Sequence, residues 1–157
     1  MISFFLAAFF LQTTAVKFLA IGEFAPNLLL CGTMLLLLAY REQGTVMWLA
    51  ALTALLQEIC FSIYVGPGIA AVVLCSLTVI LAGRIFTWDN LGFILTLTIF
   101  ETIFYQLLVW GGGRFLGMPY SFWFVVERIP LYALCNLILM GVLYFIYVRK
   151  QKSRYCV

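Results

Sequence analysis

Long apolar runs and short polar breaks alternate along the whole chain. MISFFLAAFFL opens it, PNLLLCGTMLLLLAY follows, and REQG interrupts the pattern before TVMWLAALTALLQEICFSIYV. A membrane-crossing helix needs about 20 mostly apolar residues. By that measure six segments qualify or nearly do, at about 2–21, 26–40, 45–65, 67–86, 90–110 and 120–148. The breaks between them have turn chemistry. Pro26 sits where a helix begins, a position that tolerates its missing N–H. Arg41-Glu42-Gln43-Gly44 reads as a tight polar turn. Gly66-Pro67-Gly68 breaks the third segment from the fourth, and Asp89-Asn90 supplies cap residues for the fifth. Gly111-Gly112-Gly113 reads as its end. Pro130, inside the sixth, removes one backbone hydrogen bond and predicts a kink or a late helix start.

Composition turns this pattern into a solvent assignment. The chain of 157 residues is 66% hydrophobic and 10% charged. A soluble domain is about half apolar and a quarter charged. A domain this small has too much surface to hide the excess in a core. Lipid is therefore the expected solvent for most of the chain, and residues 1–157 read as one integral membrane domain. The first segment lacks the basic start of a secretory signal and reads as a retained span.

Charge sets the expected orientation. With six spans both termini share one side. That side holds Arg41, Arg84, Arg149, Lys150, Lys152 and Arg154, and the other holds Arg114 and Lys17. The positive-inside rule places the richer side, with both termini, in the cytoplasm. Trp110, Tyr120 and Trp123 then fall at the outer interface, and Trp48 and Trp88 at the inner one. Nothing resembles a nucleic-acid-binding surface. There is no His, and the five cysteines (Cys31, Cys60, Cys75, Cys135, Cys156) form no close pair. The first four read as small buried hydrophobes rather than metal ligands.

Ionisable residues inside the apolar segments are the candidate functional positions, because a charge in hydrocarbon costs about 2.5–3.5 kcal/mol or more. Gln57 and Glu58 interrupt the third segment, Glu101 the fifth, and Glu127 and Arg128 the sixth. At about 1.5 Å per residue, Glu58 lies about 20 Å and Glu101 about 17 Å from the cytoplasmic starts of their helices. Arg128 lies about 10 Å deep from the other side. These depths allow Glu58, Glu101, Arg128 and Gln57 to share one polar cluster, with Glu58 pairing Arg128. The cluster serves either helix assembly or partner docking. Lys17 and Glu127 read as snorkelling or facing headgroups. Ser62, Ala70, Ala71, Gly83, Gly92, Asn136 and Gly141 read as close-packing positions. Two carboxylates alone make no catalytic site. No nucleophile, metal motif or phosphate loop accompanies them, so the reading is non-enzymatic, with no cofactor.

The stretch from Pro26 to Arg84 resembles MreD, the small multi-span membrane protein of the bacterial rod-shape system. Pro26-Asn27-Leu28-Leu29-Leu30 stands where that family opens its second span with Pro-Asp and leucines. Arg41-Glu42-Gln43-Gly44 matches a short turn with an arginine and a glycine. Glu58 matches an acidic residue, often Asp, followed about eight residues later by a glycine turn, here Gly66 with Gly68 close behind. Ala82-Gly83-Arg84 matches a Gly-Arg step at a span end. Asn27 and Glu58 both depart from the commoner aspartates. The resemblance implies an all-α polytopic membrane protein of about six helices, similar to the substrate-binding subunit of energy-coupling-factor transporters. It also implies a scaffold in the bacterial cytoplasmic membrane. Such a scaffold pairs with the single-span protein MreC and links MreB filaments to RodA and its transpeptidase. The alternative function is a substrate-binding subunit of a vitamin-type transporter. The short first loop, Gly22-Glu23-Phe24-Ala25, and the minimal turn at Gly66 argue against the lid such a carrier needs.

Overall fold

The computed structural model describes residues 2–14, 26–40, 42–85, 91–119 and 121–155. Lys17, the loop 22–25, Arg41, Trp88, the Asp89-Asn90 cap and Tyr120 lie outside them. The described residues form six helices and no strand: α1 (Ile2–Thr13), α2 (Leu28–Ala39), α3 (Gln43–Phe61), α4 (Pro67–Ile85), α5 (Leu91–Phe115) and α6 (Phe122–Tyr155). Four stretches are long and apolar enough to cross a membrane: α3, α4, α5 and the part of α6 from Phe122 to Ile146. Large apolar side chains cover their outer faces. Ile59, Leu81, Phe100, Ile138 and Phe145 are all exposed, as side chains facing hydrocarbon should be. Among the tryptophans of the expected interfacial belts, Trp48 and Trp123 are also exposed.

The second segment differs from the expected span. α2 has 12 residues, about 18 Å of helix, well short of the roughly 30 Å hydrocarbon core. Apart from Gly32 and Thr33 it is apolar all round, the pattern of a helix buried on every side. Nine of its residues are buried. It packs against α1, α3, α4 and α6 and forms the centre of the bundle. Two glycines let the neighbours come close. A Cβ on Gly32 would stand 2.5 Å from the Phe4 ring of α1. A Cβ on Gly83, one of the expected packing positions, would stand 3.1 Å from Leu38. Gly141, read the same way, has open space around it.

Several boundaries also move. The turn after α2 is shorter than expected, since Gln43 and Gly44 already belong to α3. Pro26 precedes α2 rather than starting it, and Asn27 is the cap. α3 stops at Phe61, not near Val65. α5 runs straight through Gly111-Gly112-Gly113 to Phe115. There Gly112 packs on Pro67 and Gly113 on Met118, so small residues serve contact rather than termination. The real stop is Gly117, whose φ of 86° is the left-handed conformation glycine favours. Its amide and that of Met118 bond back to Arg114 and Gly113, a Schellman closure. α6 starts at Phe122 and continues past Pro130, so the late start is not seen. Cys31, Cys75 and Cys135 are buried as expected, while Cys60 is exposed.

Hydroxyl side chains bond within their own helices. Thr53, Ser76, Thr98 and Thr102 each donate to the carbonyl four residues back. This satisfies them where no water is at hand.

Candidate functional site

The short length of α2 creates the most distinctive region. Its N-terminus lies inside the bundle, beside Asn136. That residue is 14 positions from the start of α6, about 21 Å along it. The first amides of any helix lack internal partners, and something outside the helix must supply them. Three other side chains do. Asn27 Oδ1 accepts from Leu30 N at 3.0 Å. Gln12 Oε1, from α1, accepts from Leu28 N at 2.7 Å and its Nε2 donates to Pro26 O at 3.3 Å. Asn136 Oδ1, from α6, accepts from Asn27 N at 2.7 Å. The Asn136 amide then donates to Thr102 Oγ1 on α5 at 3.0 Å. One helix start thus ties α1, α2, α5 and α6 together.

A second helix start takes up Glu58. Because α3 ends at Phe61, Glu58 stands in its last turn rather than deep in a longer span. The chain then turns through Ser62–Gly66 and begins α4 with Pro67. Gly66 has φ 125°, a conformation costly for any side chain. Pro67 brings no N–H. The free donors on either side of it go to one carboxylate: Gly66 N donates to Glu58 Oε2 at 2.8 Å, and Gly68 N to Oε1 at 2.6 Å. A carboxylate at a helix N-terminus is favoured by both the amides and the helix dipole. Gly68 is required by the approach, since a Cβ there would stand 2.7 Å from Oε1. The carboxylate in an apolar run is therefore an intramolecular cap.

Above the start of α2, the ends of α3, α4 and α5 enclose a cavity of about 250 Å³ that is partly open. Leu29, Gln57, Glu58, Tyr64, Tyr105 and Val109 are among its walls. Tyr105 also interacts with the Asn27 side chain, joining the cavity to the network around α2. Gln57 Nε2 is buried without a hydrogen-bond acceptor among the described residues.

Glu101 is separate from this cavity. It is fully buried between α4 and α5. Its Oε1 bonds Thr78 Oγ1 at 2.6 Å, and its Oε2 has no partner among the described residues. Glu101 and Thr102 are consecutive, so they point about 100° apart around α5. Glu101 faces α4, while Thr102 faces α6.

The expected cluster is therefore divided. Gln57 and Glu58 share the cavity, Glu101 bonds to α4, and the Arg128 guanidinium lies 4.0 Å over the Phe124 ring. The Glu58–Arg128 pair does not form. Both carboxylate oxygens of Glu58 are taken by amides, and α3 and α6 share no substantial interface. Equal depth along separate helices placed these residues in one layer without making them neighbours. Glu127 is exposed, in line with a headgroup-facing residue. Reading the residues one by one missed the roles of Gln12, Thr78, Thr102 and Asn136. Asn136 had a visible signal, a lone amide in an apolar run, but its partner Asn27 lies 109 residues away. Compared with known proteins, the chain matches no family model, no curated protein and no solved structure.

Proposed function

We propose that this chain is a non-enzymatic membrane scaffold of the MreD kind. In this reading it sits in the bacterial cytoplasmic membrane with both termini on the cytoplasmic side. It pairs with an MreC-like single-span protein and links MreB filaments to RodA and its transpeptidase. The supporting observation is that residues carrying the resemblance are the ones that close the helix starts. Asn27 caps α2, and Glu58, Gly66 and Gly68 form one closure at α4. Aspartate, common in the family at both positions, has the same acceptor chemistry. A carboxylate whose two oxygens both hold backbone amides is committed to shape and is poorly placed to move protons. A six-helix arrangement like that of the vitamin-transporter subunit belongs to this reading as well. The carrier function itself is less favoured. The cavity, at about 250 Å³, is below the roughly 300–1,000 Å³ typical of small-molecule sites.

The test is co-purification of the tagged chain from its native bacterium. A single-span partner should come with it, and depletion of the chain should round the cells. Normal rods after depletion, with no such partner recovered, would remove the scaffold reading.

A further inference from the structure

We infer that Glu101 is a proton-binding site in the middle of the membrane: it is held as the neutral acid, and its own O–H is the donor that joins α5 to α4. The inference comes from counting protons at Thr78 and is independent of the scaffold reading.

Thr78 Oγ1 has two oxygen neighbours. It lies 2.8 Å from Cys75 O, three residues back on α4, and 2.6 Å from Glu101 Oε1. Both distances are ordinary for O–H···O bonds. A hydroxyl carries one proton and accepts through its lone pairs. The Cys75 carbonyl can only accept, so the Thr78 proton goes there. The proton in the Thr78–Glu101 bond then comes from Glu101. Were Glu101 ionised, one of the two short contacts would set lone pairs against lone pairs with no hydrogen between them. Thr102, the next residue on α5, has the balanced arrangement: its hydroxyl donates to Thr98 O and accepts from Asn136 Nδ2.

The surroundings agree with the count. Glu101 is fully buried. It stands about 15 Å from the start of α5, half the depth of a roughly 30 Å hydrocarbon core. A charge there is costly, and a buried group without a counter-charge takes its neutral form instead. Among the described residues Glu101 has no ion pair. α5 packs chiefly on α4 and α6. The only cation of α4 is Arg84, exposed in its last turn. On α6, Arg128 lies over the Phe124 ring, about 12 Å along the helix from Asn136, which bonds Thr102. The titratable side chain that meets Glu101 from α4 is Cys75, whose Sγ is 4.0 Å from the Glu101 backbone carbonyl. A thiol brings no positive charge. Glu101 Oε2 has no donor among the described residues. That costs less for the carbonyl oxygen of a neutral acid than for a carboxylate oxygen, which carries charge. The bonds therefore run one way, from Glu101 O–H to Thr78 Oγ1 and from Thr78 O–H to Cys75 O. The proton is a structural ligand of the α4–α5 contact.

The test is infrared spectroscopy of the full chain at neutral pH in dodecyl maltoside, a detergent without ester or acid carbonyls. A protonated carboxyl has a C=O band apart from those of carboxylates and amides. The wild type should show one such band. Glu101→Gln should lose it, while Glu58→Gln and Glu127→Gln keep it. In Thr78→Val the band should remain but shift to higher frequency, because the O–H has lost its acceptor. Thr78→Ser, which keeps the hydroxyl, should return it to the wild-type position. Each variant is first checked for wild-type helicity and elution. A wild type with no protonated-carboxyl band overturns the proposal, and that result needs no variant to fold. A band that survives Glu101→Gln, or one that stays in place in Thr78→Val, overturns it as well. None of these readouts depends on MreC-like partners or cell shape, so this inference and the scaffold reading can fail separately.

Discussion

Removing Glu58 tests the central structural claim, that this carboxylate holds the start of α4 rather than a cationic partner. Glu58→Ala frees two amides in different surroundings. Gly68 is buried, so its N–H loses its acceptor. That costs about 1–3 kcal/mol. Gly66 is half-buried, and hydration recovers part of its bond. Its loss is worth about 0.5–1.5 kcal/mol. The total for Glu58→Ala is about 1.5–4.5 kcal/mol. Glu58→Gln keeps one acceptor and most of the volume, and should cost about half as much. Unfolding in mixed micelles of mild detergent and dodecyl sulfate, followed by circular dichroism, measures both. Gly68→Ala supplies the internal control, because its Cβ would drive Oε1 off the amides. It should be costly in the wild type and much cheaper in Glu58→Ala, a non-additivity that direct contact demands. Arg128→Gln should instead add to Glu58→Gln within about 0.5 kcal/mol, as separated sites do. A Glu58→Gln variant as stable as wild type would refute the cap, as would coupling to Arg128 in place of Gly68.

Other positions give shorter tests by the same unfolding measurement. Asn136→Leu leaves Asn27 N and Thr102 Oγ1 without their partner and should cost about 2 kcal/mol or more, while Gly141→Ala, in open space, should be near neutral. Thr78→Val is almost isosteric but removes the hydroxyl bonded to buried Glu101; a loss of about 1–3 kcal/mol is expected, and it should vanish in a Glu101→Leu background. Gly32→Ala forces the Phe4 ring to move and should cost about 1–3 kcal/mol, relieved by Phe4→Leu. A reporter fused after Val157 should read cytoplasmic, and a reporter active on the far side would reverse the orientation.

Run length and composition alone were enough to assign lipid as solvent and helix as the element. In lipid a backbone pairs all its polar groups only in helices or a closed barrel, and continuous apolar runs of this length lack the in–out alternation of barrel strands. They also located most breaks, because Gly66-Pro67-Gly68 is local turn chemistry that no distant residue has to complete. What they missed was which apolar run faces outward and which is enclosed. α2 and α3 are both apolar, and only packing on all sides of Leu28–Ala39 distinguishes a central helix from a lipid-facing one. Gly111–Gly113 read as a stop for a similar reason. Glycine ends a helix when a left-handed turn follows, as at Gly117, and extends a contact when a neighbour is pressed against it, as Pro67 is on Gly112. The polar residues show the division most sharply. That Glu58 must have a partner followed from its place in an apolar run and the cost of an unpaired charge. That the partner is a pair of backbone amides eight and ten residues on, and not Arg128, was decided by where α3 ends and how α4 folds back. Depth along a helix is a one-dimensional quantity readable from sequence. Which helix stands beside which is not, and hydrogen bonds form only between neighbours in space.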